Sequence, residues 1–596
     1  MEAVRFEIPP CPPEAVGALR RALGTSGPLA QVLVRRGHGE PDAARAFLDA
    51  SEEHSPQRFE GIAGAVETVL DHARAGRLIT VHGDYDVDGI CSTAVLVRAL
   101  RELGAEVDTY IPDRAAGYGL GLETVRRLAA RGTRLLLTAD CAITAVEEVR
   151  AAQELGMAVV VTDHHSPRAD GQLPRAPIVH PALCGYPCPD LCATAVAHKL
   201  AQALFEAAGR GADGRALMAR DLDLVALATV ADVVPLLGEN RMLVRRGLRA
   251  LAASAKPGLR ALMSVAGVDA GRVGERAIGF ALAPRLNAAG RLYRADAGLE
   301  LLLSEDPARA EQIAHELDAA NAERRRIERR IRFEAEAQMA ELGARHAYVL
   351  AGESWHPGVI GIVASRMVEQ SGRPVVMVAF DGERGRGSGR SIEGFDLLGG
   401  LEHCGEHLVR FGGHRAAAGV ELERGSLDAF ASALAEHAGG AIGDAHPRAL
   451  ERVDAIVPCG ELGLELAEEL GRLAPFGREN PPVCLMIDGA RFRDPRPMGE
   501  GRHLRFTVES DGARARCVRF GEGAALPVPE GEPARATFAL EINEWNGVVE
   551  PRLRLRHAVA AAPPGARPPA PALPARPASR PLAPSAGEAG EQLALL

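Results

Sequence analysis

At 596 residues, 47% hydrophobic and 25% charged, the chain is too long for one hydrophobic core and too apolar for disorder, so three or four folded domains are expected. A formal net charge of −10 argues against a uniformly basic surface, but an acidic site can coexist with arginine-lined grooves, so a nucleic-acid partner is not excluded. The start MEAVRFEIPP lacks a basic stretch followed by an apolar core, no apolar run is long enough for a bilayer, and the ten cysteines lack disulfide-framework spacing; a reduced, cytoplasmic protein without membrane contact is expected.

Residues 1–60 read as short helical pieces broken by Pro9, Pro10, Pro12 and Pro13. From Leu78 the runs LITV (78–81), LLLT (135–138) and AVVVT (158–162), each followed by amphipathic helix, predict a parallel, doubly wound sheet, and residues 61–240 are expected to form one α/β domain. A helical region follows over 241–342 and ends in a long charged helix over 305–342, whose only proline, Pro307, stands near its start; its apolar heptads are not sustained, so a solvated connector is favoured over a coiled coil. Residues 345–440 open with the strand AYVLAG and predict a second, smaller α/β domain. Alternating runs such as HLRFTV and ATFALEI predict a β-barrel over 450–560, and the Pro/Ala-rich residues 561–596 predict a disordered tail. Lysine occurs only as Lys199 and Lys256, neither in a GxxxxGK[ST] setting, which excludes a phosphate-binding loop of that type. The arginine excess itself reads as compositional bias.

Three of the apolar runs end in ligand-type residues: VHGDYDVDG (81–89), TADC (138–141) and TDHH (162–165). The carboxyl ends of parallel strands line one crevice, so these side chains are expected to converge. Asp84, Asp86 and Asp88 alternate in a tight loop between Gly83 and Gly89, and three carboxylates so close repel one another unless cations bind them. With Asp140 and His164 added, the mixed oxygen and nitrogen set suits two Mn²⁺ or Mg²⁺ ions rather than a thiolate zinc site, and paired cations suit phosphodiester hydrolysis. An EF-hand is excluded because the twelfth loop position is Val95. Cys184, Cys188 and Cys192 recur every fourth residue, but Pro187 and Pro189 intervene and no CxxC pair forms, so a zinc site is disfavoured.

GDYDVDG, AD at 139–140, DHH at 163–165 and TVADVVPL at 229–236 resemble the four motifs of the DHH phosphoesterase superfamily. APRLNAAGRL (283–292), WHPGVIGIVASR (355–366), GSGRSIEGFDL (387–397), FGGHRAAAG (411–419), LAPFGREN (473–480) and NEWNG (543–547) extend the resemblance to its bacterial single-strand-specific 5′→3′ DNA exonucleases, over most of residues 75–560. The resemblance implies a parallel-sheet DHH domain, a DHHA1 substrate-binding domain and an OB-fold. It implies metal ligands Asp84, Asp86, Asp88, Asp140, His164 and Asp232, the last preferred over Asp221 and Asp223. Asp86, Asp88, Asp140 and His165 are the implied catalytic set, His165 contacting the scissile phosphate and Asp163 orienting His164. His82 stands where some relatives carry a metal-binding histidine.

In the DHHA1 segment, Ser388, Gly389, Arg390 and Ser391 read as a small-residue loop that holds phosphate by backbone amides and one guanidinium, with His414 as a further donor. Arg114 matches an arginine expected to anchor the 5′ end, while Arg285, Asn287 and Arg291 are candidates for lining the DNA path. Phe476, Phe506 and Trp545 are the rings expected to stack on bases; Trp355 reads as readily as core. The function implied is release of 5′-mononucleotides from single-stranded DNA in repair and recombination, by a monomer with a single-strand-binding protein as a family-analogy partner. The alternatives are a DHH oligoribonuclease or cyclic-dinucleotide phosphodiesterase, and a Cdc45-like non-catalytic scaffold.

Overall fold

The computed structural model describes residues 4–112, 119–292, 294–443, 450–521, 523, 525–545 and 547–561, with only the backbone of Trp545. The described residues divide into two compact units: 52–443 with 477–479, and 4–51, 450–476 and 480–561.

In the first unit, five parallel strands run β1 (Ile79–His82), β2 (Val107–Tyr110), β3 (Leu135–Thr138), β4 (Ala158–Thr162) and β5 (Ile178–Val179) in chain order. Their order across the sheet is β2-β1-β3-β4-β5, every pairing parallel. All residues of β1 and β3 are buried, which is why they read in sequence as unbroken apolar runs. The chain leaves β1 for β2 on one side and β3 on the other, so the order reverses beside β1. A topological switch point lies there, the place where open α/β sheets bind ligands.

Helices α1 (Val87–Glu102) and α2 (Ala193–Ala207) pack on this sheet, and α3 (Gly211–Ala231) packs on both of them. A shorter helix, α4 (Ala283–Leu292), precedes α5 (Pro307–Leu342), whose 36 residues span about 54 Å. Helix α5 is more than a solvated connector. Ala310, Ile313, Ala314 and Leu317 are buried toward its start, and Ile331 and Ala335 join the core of the smaller domain near its end.

That smaller domain holds β6 (Tyr348–Gly352), helix α6 (Pro357–Ser371), β7 (Val375–Asp381), β8 (Arg384–Arg390), β9 (Arg410–Gly413) and β10 (Ala417–Glu423). The sheet order is β9-β10-β8-β7-β6, parallel only between β6 and β7. Trp355 is core here, 3% exposed, and its Nε1 donates to Glu334 at 2.5 Å.

In the second unit, the N-terminal strand Arg5–Glu7 pairs in parallel with Leu450–Arg452. Arg36 clamps Asp454 through a 2.8 Å ion pair and donates to Asn480 Oδ1 at 2.6 Å. The first fifty residues are therefore built into the C-terminal unit, a union no local reading of the sequence shows. Five long strands close into a barrel: Leu485–Met498 pairs with both His503–Ser510 and Pro533–Trp545, and Val548–Ala560 joins Ala513–Phe520 in parallel. This is the strand order of an OB-fold. Phe506 is 2% exposed and packs edge-on to Phe492 at 5.1 Å, so it fills the barrel and cannot stack on a base.

Candidate metal centre

The loop after β1 is folded back on the start of α1. A Cβ on Gly83 would stand 2.0 Å from Thr93 Oγ1, and one on Gly89 would stand 2.5 Å from the Asp84 backbone, so only glycine permits this approach. Asp86 caps α1, accepting from Gly89 N at 3.1 Å. Asp88 is gripped by the start of α2: its carboxylate accepts from Ala193 N at 2.7 Å, Thr194 N at 2.8 Å and Thr194 Oγ1 at 2.6 Å. After β3, Asp140 takes a left-handed φ of 67° and Ala142 one of 85°, a conformation costly outside glycine that turns the Asp140 carboxylate into the crevice.

These side chains meet. Asp84, Asp86 and Asp140 form one group of oxygens within 4.8 Å of one another, and Asp88, His164 and Asp232 form a second set of ligand atoms equally close. His164 Nε2 lies 3.2 Å from Asp140, 3.7 Å from Asp88 and 3.8 Å from Asp232, which joins the two groups. Asp221 and Asp223 stand apart from this centre and are taken up by cations: Asp221 pairs with Arg98 at 3.0 Å, and Lys256 bridges Asp223 at 2.7 Å and Asp221 at 3.0 Å.

Asp163 does not hold the ring of His164. Its Oδ1 accepts from His164 N at 2.7 Å and from His165 N at 3.1 Å, pairs with His165 Nδ1 at 2.8 Å, and its Oδ2 accepts from Ile143 N at 2.8 Å. The imidazole it orients is therefore that of His165.

Electrostatics follow from this crowding. Burial first, then the neighbouring carboxylates, raise Asp140 and Asp232 well above the usual range, with His165 and Arg478 partly opposing the rise at Asp232. Burial raises Asp88 to about 6 against the hydrogen bonds of Thr194. Burial lowers His164 to about 3, with the charge of His165 adding to the effect. Burial also opposes the charged form of His165, but the Asp163 charge and hydrogen bond outweigh it and raise the imidazole to about 9.

Divalent cations fit this donor set. Carboxylates whose burial and mutual repulsion oppose the charged form, beside a histidine that burial keeps neutral, are ligands lacking only positive charge. Thiolate ligation does not fit, because burial raises the Cys91, Cys141 and Cys192 thiols well above their usual range. Cys184 donates to Ile178 O and Cys192 lies 3.4 Å from Thr229 Oγ1; no candidate metal cluster among the described residues contains Cys184, Cys188 or Cys192. His82 is fully buried behind the loop, 3.5 Å from Cys141 Sγ, and belongs to none of these groups either.

Several residues expected on the substrate path are placed differently. Arg285 is spent on Asp318 at 2.8 Å and on Ala281 O at 2.7 Å, tying α4 to α5. Asn287 Oδ1 accepts from Val87 N at 3.1 Å in the acidic loop, and Arg291 donates to Gly358 O at 2.9 Å. Ser388, Gly389 and Arg390 do not form a loop. They end β8, paired on both sides with β7 and β10, so their amides serve the sheet, and Arg390 donates to the Ser388 hydroxyl at 3.0 Å. Ser391 is 8% exposed and donates to Phe395 O at 2.8 Å. His414 is exposed in the turn from β9 to β10. Phe476 is half-buried. Arg114 and the side chain of Trp545 lie outside the described residues.

Sequence reasoning missed Thr194, whose hydroxyl and amide position Asp88, and Arg478, whose backbone carbonyl accepts from Leu236 N at 3.0 Å four residues beyond Asp232. Only the LAPFGREN motif pointed toward the second.

Comparison with known proteins agrees with this architecture. The DHH family N-terminal domain matches residues 78–229, the DHHA1 domain residues 343–439, and the RecJ OB domain residues 453–557. The single-stranded-DNA-specific exonuclease RecJ of Bacillus subtilis is 36% identical over 568 residues, 94% of this chain and 71% of that protein. The crystal structure of Thermus thermophilus RecJ in complex with Mn²⁺ superposes with a TM-score of 0.82 at 32% identity, covering 94% of this chain and 80% of that one. The same protein in complex with Mg²⁺ gives a TM-score of 0.77 at 31% identity, with coverage of 94% and 79%. With its acidic strand-end cluster, its DHHA1 sheet and its closed barrel in one order along the sequence, the chain belongs to the RecJ family of the DHH phosphoesterases.

Proposed function

We infer that this protein is a single-stranded-DNA-specific 5′→3′ exonuclease that uses Mn²⁺ or Mg²⁺ and acts in DNA repair and recombination. The observation that carries the reading is the pair of ligand groups, Asp84/Asp86/Asp140 and Asp88/His164/Asp232, joined through the 3.2 Å approach of His164 to Asp140. When bound there, two cations supply Lewis-acid polarisation of a phosphodiester and of the attacking water.

The protein's own residues do the rest. Asp163 holds His165 by Nδ1 at 2.8 Å and keeps it charged, a fixed cation suited to a phosphate oxygen. Ser388 and Arg390 offer a hydroxyl and a guanidinium to a second phosphate. The retained acids and histidines favour catalysis over a Cdc45-like scaffold, and the OB-fold favours a polymeric strand over a cyclic dinucleotide. A cytoplasmic location accords with the finding that no described helix is long and apolar enough to cross a membrane.

Digestion of 5′- and 3′-labelled oligonucleotides with Mn²⁺ tests the reading. Immediate release of label as mononucleotide from the 5′-labelled single strand, and late release from the 3′-labelled one, is expected. Preference for 3′ ends, duplex, RNA or cyclic dinucleotides rejects it. Asp140→Ala is expected to abolish cleavage while leaving strand binding largely intact.

A further inference from the structure

The acidic loop is held from outside by a helix about two hundred residues further along the chain. Val87 is the first residue of α1, and an N–H there has no partner within its own helix. Asn287 of α4 supplies one, its Oδ1 accepting from Val87 N at 3.1 Å. One turn on, a Cβ on Gly290 would stand 2.8 Å from Tyr85 O, so glycine is what lets α4 lie against the loop. Asparagine and glycine are both poor helix formers, glycine by about 1 kcal/mol. Three residues apart, they share one face of α4, and that face is turned to the segment carrying Asp84, Asp86 and Asp88.

We propose that Asn287 is a positioning residue of the metal centre: its carboxamide, with the close approach allowed by Gly290, fixes the arc of the acidic loop and so sets divalent-cation affinity, rather than touching DNA. The inference rests on the metal reading of this loop. The Val87 amide lies between Asp86 and Asp88. Losing its acceptor lets the peptide rotate and moves two carboxylates that belong to different ligand groups. Residues that orient ligands in this way are worth about 10–100-fold in metal affinity.

The test is titration of the full-length, metal-free protein with Mn²⁺, following free Mn²⁺ by electron paramagnetic resonance. Strand affinity is measured separately by fluorescence anisotropy of a labelled oligo(dT) in EDTA. For Asn287→Leu, an increase of about tenfold or more in the Mn²⁺ Kd is expected, with oligo(dT) affinity within twofold of the parent. Asn287→Asp keeps an acceptor oxygen and is expected to restore Mn²⁺ binding. If circular dichroism shows Asn287→Leu to be unfolded, Gly290→Ala serves instead, because it pushes on Tyr85 without removing the hydrogen bond; the same loss of Mn²⁺ affinity is expected. An unchanged Mn²⁺ Kd, or a fall in oligo(dT) affinity alone, overturns the proposal and returns Asn287 to the DNA path. Asp140→Ala separates the two levels. If it too leaves Mn²⁺ binding intact, the metal reading fails; if it abolishes binding while both α4 variants do not, only the role of Asn287 fails.

Discussion

Without cations the centre should lose stability as pH rises from 7 to 9. The imidazole of His165, raised from 6.5 to about 9 in the fold, contributes stability that is complete below pH 6.5 and disappears as pH passes 9. The two-and-a-half-decade difference in proton affinity amounts to about 3 kcal/mol. Asp140 and Asp232, both raised well above the usual carboxylate range by burial and neighbouring carboxylates, act in the same direction wherever they titrate above the unfolded value, because a raised group also loses native stability as pH rises. The buried His82 and His164, lowered to about 4 and about 3, act oppositely but only below pH 6.5, so they leave this window clear. About 2 kcal/mol of the His165 contribution is lost between pH 7 and 9, the rest lying outside that window, which in a domain of this size corresponds to roughly 4–8 °C in Tm. Calorimetry in EDTA across pH 7, 8 and 9 measures it. Saturating Mg²⁺ should reverse much of the loss, since ligand at a hundred times Kd adds about 2.7 kcal/mol. Asp140→Asn should raise the metal-free Tm at pH 8.5 and remove the Mg²⁺ gain. A metal-free Tm that is flat or rises from pH 7 to 9 would refute the reasoning.

Asp163→Asn removes the charge that keeps His165 protonated, so at pH 8 the imidazole becomes mostly neutral and turnover is expected to fall at least about tenfold, with the pH optimum moving to the acid side; an unshifted kcat profile counts against the role given to His165. Asp232→Ala should weaken Mn²⁺ binding without lowering the metal-free Tm, whereas Asp223→Ala removes one of the two carboxylates that hold Lys256 and should lower Tm by several degrees with Mn²⁺ stoichiometry unchanged; equilibrium dialysis with thermal melts distinguishes them, and the reverse pattern would exchange the two residues. Lys199 pairs with Glu239 at 2.6 Å, both buried, so Lys199→Met should cost about 3–5 kcal/mol by leaving an uncompensated carboxylate, and adding Glu239→Gln should recover part of it in denaturant titrations.

The strands that carry the centre were legible because a strand buried on both faces must be apolar throughout, and each such run ends where its ligands begin. The edges were not. Strand β2 reads VDTY with every residue half-buried, and β5 has two residues, too little pattern for periodicity to register. Ser388–Ser391 read as a loop because the strand that they end, RGRGSGR, is glycine-rich for a definite reason: at Gly385, Gly387 and Gly389 a Cβ would meet Val378, Val420 and Leu397 at 2.7, 2.5 and 2.8 Å. The glycines mark a central strand overlain by neighbouring side chains, not a turn. For Phe506 the signal was present, since Leu504, Phe506 and Val508 alternate inward along HLRFTVES, and period two places that ring in the barrel core.

The choice among Asp221, Asp223 and Asp232 shows why spacing alone could not resolve the centre. All three are acids on or at the end of one helix, and what separates them is the position of a cation. Lys256 Nζ gathers both oxygens of Asp223 at 2.7 and 2.8 Å, Asp221 at 3.0 Å and Arg220 O at 2.9 Å. Lys199 likewise gathers Glu239 at 2.6 Å and His54 O at 2.7 Å. Such convergent acceptors suit a compact ammonium and not a planar guanidinium fork. In a chain where arginine carries nearly all positive charge, the two lysines therefore stand where arginine geometry does not serve. One of them neutralises Asp221 and Asp223 and leaves Asp232, 3.8 Å from His164, as the acid of this helix that faces the centre.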